Sequence, residues 1–202
     1  MPAPLHASDP RKFVTRAGQT LAFTALGFGS APLGNYLRAL PEKECDQTLA
    51  AAWSSGIRYY DTAPFYGLGL SEMRVGRLLK QKSRNDFVLA TKVGRLLEPC
   101  EVNAVNGVFF VDTPQVRFHY DYSYAGVMRS FEDSLGRLGL DNVDILYVHD
   151  VCALVHGGRE ASEGRIQELI TSGGWRALTE LRARGMVKAI GAGVNEWQPC
   201  AR

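Results

Sequence analysis

The sequence is short of several things that would each have named a function class. It has four cysteines, Cys45, Cys100, Cys152 and Cys200, and no C-x-x-C spacing. That pattern suggests neither a zinc site nor a disulfide framework, and it fits free thiols in a reducing compartment. No run of Lys or Arg is present, and the formal net charge is only +2. Nucleic acid and anionic membrane surfaces are therefore not expected partners. No apolar stretch reaches the ~20 residues of a membrane-crossing helix. The first ten residues carry neither a basic segment nor an apolar one, so no signal peptide is expected and a cytoplasmic location is. A G-x-G-x-x-G fingerprint is also missing. The glycine loop Gly27-Phe28-Gly29-Ser30-Ala31-Pro32-Leu33-Gly34 departs from it, and Pro32 and Gly34 do not open a helix there. Close backbone approach at a strand–loop junction explains those glycines better.

What is present is an ordinary globular composition. The 202 residues are 46% hydrophobic and 22% charged, enough to bury one domain's core. Short apolar runs alternate with helical patterns. Phe13-Val14 and Leu21-Ala22-Phe23 flank Gly18 and predict an N-terminal hairpin. Ala25 to Gly29 predicts a first core strand. A helix follows from about Pro41 to a stop at Gly56. Ile57 to Asp61 predicts the second strand. Ser71 is read as an N-cap, with Val75, Leu78 and Leu79 as the buried stripe of the next helix. Phe87 to Lys92 predicts the third strand.

Residues 94 to 123 form a long connection. Within it, 107–111 and 116–120 flank Thr113-Pro114 and read as an excursion hairpin, of the kind that serves as a lid or binding loop. Ser123 caps a helix whose apolar positions are Tyr124, Val127, Met128, Phe131, Leu135 and Leu138, one continuous face ending at Gly139. Val143 to His149 predicts the fourth strand, and Val155 to Gly164 a mobile loop. Trp175, Leu178 and Leu181 mark a last helix stopping at Gly185, and Val187 to Val194 the fifth strand. Strands joined by crossover helices run parallel. Near-continuous apolar strands imply a sheet covered on both faces. The order fits an open doubly wound sheet or part of a (β/α)8 barrel.

Chemistry-bearing side chains gather at the strand ends, where parallel α/β folds keep their sites. Asp61 ends the second strand, with Tyr66 on its loop. Lys92 ends the third, His149 the fourth, and Asn195 follows the fifth. A free phenol has a pKa of about 10, so a tyrosine that exchanges protons near neutrality needs its anion stabilised. Lys92 can do that, Asp61 can keep Lys92 charged and oriented, and His149 can orient a substrate oxygen or relay its proton. Cys152 near His149 raises a Cys/His nucleophile as a competing reading, but no third orienting group accompanies it.

At these residues the chain resembles the aldo-keto reductases. Asp61-Thr62-Ala63 with Tyr66-Gly67, Thr91-Lys92, Val148-His149 and Gly193-Val194-Asn195 match that family in order and approximate spacing across nearly the whole chain. The resemblance implies an α/β fold, the (β/α)8 TIM barrel of that family, with its N-terminal β-hairpin. It implies Tyr66 as general acid/base, Lys92 and Asp61 as its ion pair, and His149 as the group that orients the substrate. It further implies a nicotinamide dinucleotide, NAD or NADP with NAD favoured, whose carboxamide Asn195 holds; Ser30 is a second candidate cofactor-binding residue. No metal is implied.

Within the family, 65–72, 121–124, 130–135 and 191–197 are similar to bacterial sugar dehydrogenases of the D-threo-aldose 1-dehydrogenase (L-fucose dehydrogenase) type. Pyridoxal 4-dehydrogenase is similar too. The implied reaction is oxidation of an aldose hemiacetal to a lactone on a small-molecule sugar or aldehyde. The alternatives are pyridoxal oxidation, or general NADPH-dependent aldehyde and ketone reduction. Two departures stand out. Val194 occupies a position that is often serine in the wider family. A full barrel takes about 250 residues, whereas this sequence supplies five of eight strand units as a single partial domain. The expectation is a truncated barrel whose unpaired edges permit self-association. An inactive fragment is accordingly a third reading.

Overall fold

The computed structural model describes residues 6–101 and 109–201. The N-terminal hairpin forms as expected: β1 (Pro10–Val14) pairs antiparallel with β2 (Thr20–Thr24). Five further strands make one parallel sheet: β3 (Phe28–Gly29), β4 (Tyr59–Asp61), β5 (Val88–Val93), β8 (Ile145–His149) and β9 (Ala189–Gly193). Between β5 and β8 lies a separate two-stranded ribbon, β6 (Arg95–Pro99) and β7 (Val116–Tyr120). The parallel strands sit side by side in chain order, β3-β4-β5-β8-β9. A doubly wound sheet would reverse direction at a switch point. Unbroken sequential order is the winding of a barrel sector.

Four helices line one face of the sheet. α1 (Glu42–Ser54), α2 (Leu70–Leu79), α3 (Tyr124–Leu138) and α6 (Gly174–Ala183) touch one another in series along the outside. The best-formed is α3. Ser123 Oγ accepts from Gly126 N at its start, and Gly139 closes it in the left-handed conformation at φ 65°. Val127, Phe131 and Leu138 are fully buried, with Tyr124, Met128 and Leu135 packed beside them. Each large apolar side chain so buried contributes about 1.5–3 kcal/mol. This helix–sheet layer is the main core, running from Leu49 and Tyr60 to Leu178 and Val187.

The second face of the sheet is covered at its lower end by the N-terminal hairpin, as the family resemblance implied. Strand alternation puts Tyr59, Asp61, Val88, Ala90, Lys92, Ile145, Tyr147 and His149 on the concave side. Their lower members, Val88, Ala90 and Ile145, form a small inner core with Leu21 of the hairpin, and Phe23, Tyr59 and Tyr147 pack on it. The hairpin is thus a floor beneath the sheet.

Three local expectations are corrected. Residues 116–120 pair with Arg95–Pro99 and not with 107–111; of that run, 107 and 108 lie outside the described residues, and Phe110 makes an isolated bridge to Tyr36. Gly94, at φ 104°, lets the chain turn off β5 into β6, and the charged Arg95 and Glu98 with the strand-disfavouring Pro99 hide that strand from a hydrophobicity pattern. The segment read as a mobile loop is helical: α4 (Ala153–His156) and α5 (Arg159–Thr171) meet at Gly157 and Gly158. Only Ser162 and Leu169 of α5 are buried, so it carries almost no apolar stripe to read. Ser71 lies inside α2, behind Gly69 at the N-cap. Its hydroxyl is 2.8 Å from both Ser30 O and Ser30 Oγ and 3.1 Å from Thr62 Oγ1.

Candidate active site

The upper ends of β4, β5, β8 and β9 open into a cavity of about 580 Å³. Asp61, Tyr66, Lys92, His149 and Asn195 all line it. The register brings them together. Asp61 pairs with Ala90, so Lys92 stands one pleat higher on the same face of the adjacent strand. Lys92 in turn pairs with Tyr147, and His149 with Gly193.

Lys92 Nζ donates to Asp61 Oδ1 at 2.7 Å and to Thr62 O at 2.9 Å. The ammonium also lies 4.7 Å from the centre of the Tyr66 ring. A cation over a phenol ring is attracted to its π-face and would favour negative charge developing on the phenol oxygen. Tyr66 meets His149 edge to face, with ring centres 6.1 Å apart.

His149 is nearly sealed from water. Burial, then the Arg95 guanidinium and the Lys92 ammonium, hold its pKa well below the usual 6.5, so the imidazole is neutral. Its backbone is held as well, by Tyr122 Oη donating to His149 O at 2.6 Å. A neutral imidazole can donate one N–H to a substrate oxygen without carrying charge into the cavity.

Of the other sequence candidates, Asn195 reaches the cavity and Ser30 does not line it. Ser30 is fully buried, and its N–H and hydroxyl both go to Asp61 O, at 3.0 and 2.7 Å. It braces the strand that carries Asp61. Cys152 is also fully buried and does not line the cavity.

Several lining residues were not singled out from the sequence. Tyr59 and Tyr147 come from concave positions two residues below Asp61 and His149, and their hydroxyls are 3.4 Å apart. Period-two alternation would have found both. Asp150 follows His149 in a left-handed turn at φ 54°; no sequence signal marks it apart from the neighbouring histidine. Tyr36, Phe65, Phe109 and Phe110 give one wall an aromatic face. Phe65 meets Phe110 and Phe118 edge to face, at 5.4 and 5.1 Å.

Tyr66, Lys92 and Asp61 thus meet beside a neutral histidine at the top of a hairpin-plugged barrel sector. The chain belongs to the aldo/keto reductase family, whose model matches residues 25–200. It is 43% identical to pyridoxal 4-dehydrogenase of Microbacterium luteolum, over 96% of this chain and 58% of that protein. It is also 43% identical to D-threo-aldose 1-dehydrogenase of a Pseudomonas species, over 88% of this chain and 52% of that one. Among solved structures, the holo form of an aldo-keto reductase from Bacillus halodurans matches with a TM-score of 0.69 and 27% identity, covering 98% of this chain and 53% of that one. Glycerol dehydrogenase of Gluconobacter oxydans matches with a TM-score of 0.64 and 26% identity, over 93% and 49%. The chain spans about half the length of the curated relatives it matches. Among the described residues, no helix is long and apolar enough to cross a membrane.

Proposed function

We propose that this chain carries the proton-transfer half of a nicotinamide-dependent dehydrogenase site that oxidises the anomeric hydroxyl of an aldose, giving a lactone. The observation that carries this reading is the Lys92 ammonium, tied to Asp61 at 2.7 Å and lying against the Tyr66 ring. Tyr66 is the base toward the anomeric O–H. Lys92 stabilises the phenolate form of Tyr66 that takes up this proton and becomes the neutral phenol, and Asp61 with Thr62 O keeps Lys92 aimed. His149 donates its N–H to the substrate oxygen and orients it.

The residues present fit the nicotinamide end of a dinucleotide. Asn195 offers an amide at the lip of β9. Gly193 leaves bare backbone beside Lys92, where a Cβ would stand 3.2 Å from Lys92 Cε. When bound, the dinucleotide would accept the hydride that leaves the anomeric carbon. The phenol keeps the proton for release to water.

A second reading is oxidation of a flat aromatic substrate of the pyridoxal type. The aromatic wall of Tyr36, Phe65, Phe109 and Phe110 favours it, as does the likeness to pyridoxal 4-dehydrogenase. Incubating the purified chain with NAD or NADP and with L-fucose, D-threo-aldoses or pyridoxal separates the two. Reduced nicotinamide formed with the sugars and lost in Tyr66→Phe supports the first. Formation with pyridoxal alone supports the second. No turnover and no dinucleotide binding would overturn both for this chain.

A further inference from the structure

The Asp150 side chain touches both His149 and Asn195. Its Oδ1 accepts from Asn195 Nδ2 at 3.0 Å, and its Oδ2 lies 3.3 Å from His149 Nε2. The same Oδ2 accepts from Arg95 Nη2 at 2.7 Å. Backbone geometry holds the carboxylate there. The Asp150 N–H continues the ladder to Gly193 O at 2.8 Å, and the residue then turns left-handed. Aspartate tolerates that conformation better than most side chains.

Arg95 is held from several sides. Its guanidinium carbon is 3.9 Å from the centre of the Phe65 ring, beside Tyr66, and 5.2 Å from those of Phe118 and Tyr120. Nη2 also meets Tyr120 Oη at 3.1 Å. Nε and Nη1 are buried without a hydrogen-bond partner among the described residues. A guanidinium that gives up hydration on this scale depends on the Asp150 carboxylate, since unpaired buried N–H groups are costly.

We propose that Asp150, locked by Arg95, is a positioning residue that fixes the proton of His149 on Nε2 and turns the Asn195 amide so that its oxygen is left for a ligand. The reasoning is donor–acceptor arithmetic. A carboxylate paired with a guanidinium at 2.7 Å only accepts. The amide nitrogen of Asn195 must therefore face it, and Oδ1 faces away. For His149, a bare lone pair on Nε2 would be set against the anion. An N–H there is attracted to it, and at 3.3 Å the contact is loose enough to leave that N–H for a substrate oxygen, while Nδ1 has no partner among the described residues. The group that Asn195 receives is consequently a hydrogen-bond donor such as a primary carboxamide N–H. Only that last step, the identity of the ligand, rests on the dehydrogenase reading.

The test is a long-range proton–nitrogen correlation spectrum of the ¹⁵N-histidine-labelled chain, with His149 assigned by comparison with His149→Gln. The expected wild-type spectrum has a neutral ring protonated at Nε2. In Asp150→Asn the new amide can offer its own N–H to Nε2, so the proton should shift wholly or partly to Nδ1. Arg95→Lys, which keeps a cation beside Asp150, should retain Nε2–H. Protonation at Nδ1 in the unaltered chain overturns the proposal, with no variant needed. So does an Asp150→Asn spectrum identical to wild type. NAD titration adds a second readout, with binding expected to weaken about tenfold in Asp150→Asn. If the unaltered chain binds no NAD, the dehydrogenase reading fails for this chain while the proton position still decides the role of Asp150.

Discussion

The backbones of Gly34 and Gly67 are in direct contact. A Cβ built on Gly34 would stand 2.4 Å from Gly67 N, and one built on Gly67 would stand 2.4 Å from Gly34 O. This contact presses the loop that carries Tyr66 onto the short 3-10 turn Ala31–Gly34. Arg74 holds the other side of that turn, donating to Leu33 O at 2.6 Å and to Asn35 Oδ1 at 2.8 Å. Gly34→Ala should therefore push the Tyr66 loop away and destabilise the chain by about 1–3 kcal/mol, the usual range for overpacking. Urea unfolding would measure the loss, and unchanged stability would show that the loop gives way freely.

Tyr66→Phe removes one oxygen and no packing. It should lower turnover by about 10²–10⁴-fold, the usual contribution of a general acid or base, and leave the unfolding midpoint unchanged. A variant that keeps its turnover would move the proton-transfer role to another residue, with His149 next in line.

Lys92→Met fills similar space but strips Asp61 and Thr62 O of their shared donor. Asp61 keeps a quarter of its side-chain surface exposed, so water relieves part of the cost of an unpaired charge. The expected destabilisation is about 1–3 kcal/mol, below the range for a fully buried pair. Asp61→Asn should cost less, because the amide oxygen still accepts from Lys92. The reverse order, in paired denaturation curves, would contradict the geometry.

Acid should weaken the fold through His149. Burial holds its folded pKa well below the usual 6.5. Below about pH 6.5 the unfolded chain takes up a proton that the folded chain refuses, so stability falls as pH falls, by at most about 1.4 kcal/mol per pH unit for this group. Above pH 6.5 both states are neutral and the effect vanishes. His156, lowered by burial as well, acts in the same direction. Asp150 acts oppositely at lower pH, because burial raises its pKa above 3.8 and the folded chain there takes the proton first. His149→Gln should flatten the loss between about pH 6.5 and 5.5, as read from urea midpoints. An equal slope in wild type and variant would place the acid sensitivity elsewhere.

Much of this site could be read in the sequence because a parallel strand announces its own end. Apolar runs stop abruptly at Asp61, Lys92 and His149, and all three reach one cavity. The residues that were not legible depend on contacts between distant segments. Arg95 is one residue beyond a glycine bend, and only the fold shows it meeting Asp150 at 2.7 Å. Ser71 has the chemistry of a cap, but tertiary contacts with Ser30 and Thr62 take its hydroxyl instead. The α5 segment lacked an apolar stripe because its contacts are polar, with Ser162 Oγ donating to Val151 O and Glu168 accepting from Tyr122 N.

The hairpin floor has a consequence for how the chain reaches this structure. Leu21 leaves a ribosome well before its partners Val88, Ala90 and Ile145. The hairpin can zip on its own, while its apolar side must wait until the sheet exists. Assembly should therefore begin in the helical layer, where α2, α3 and the strands between them are neighbours in sequence as well as in space. The hairpin is then made before the sheet and placed after it.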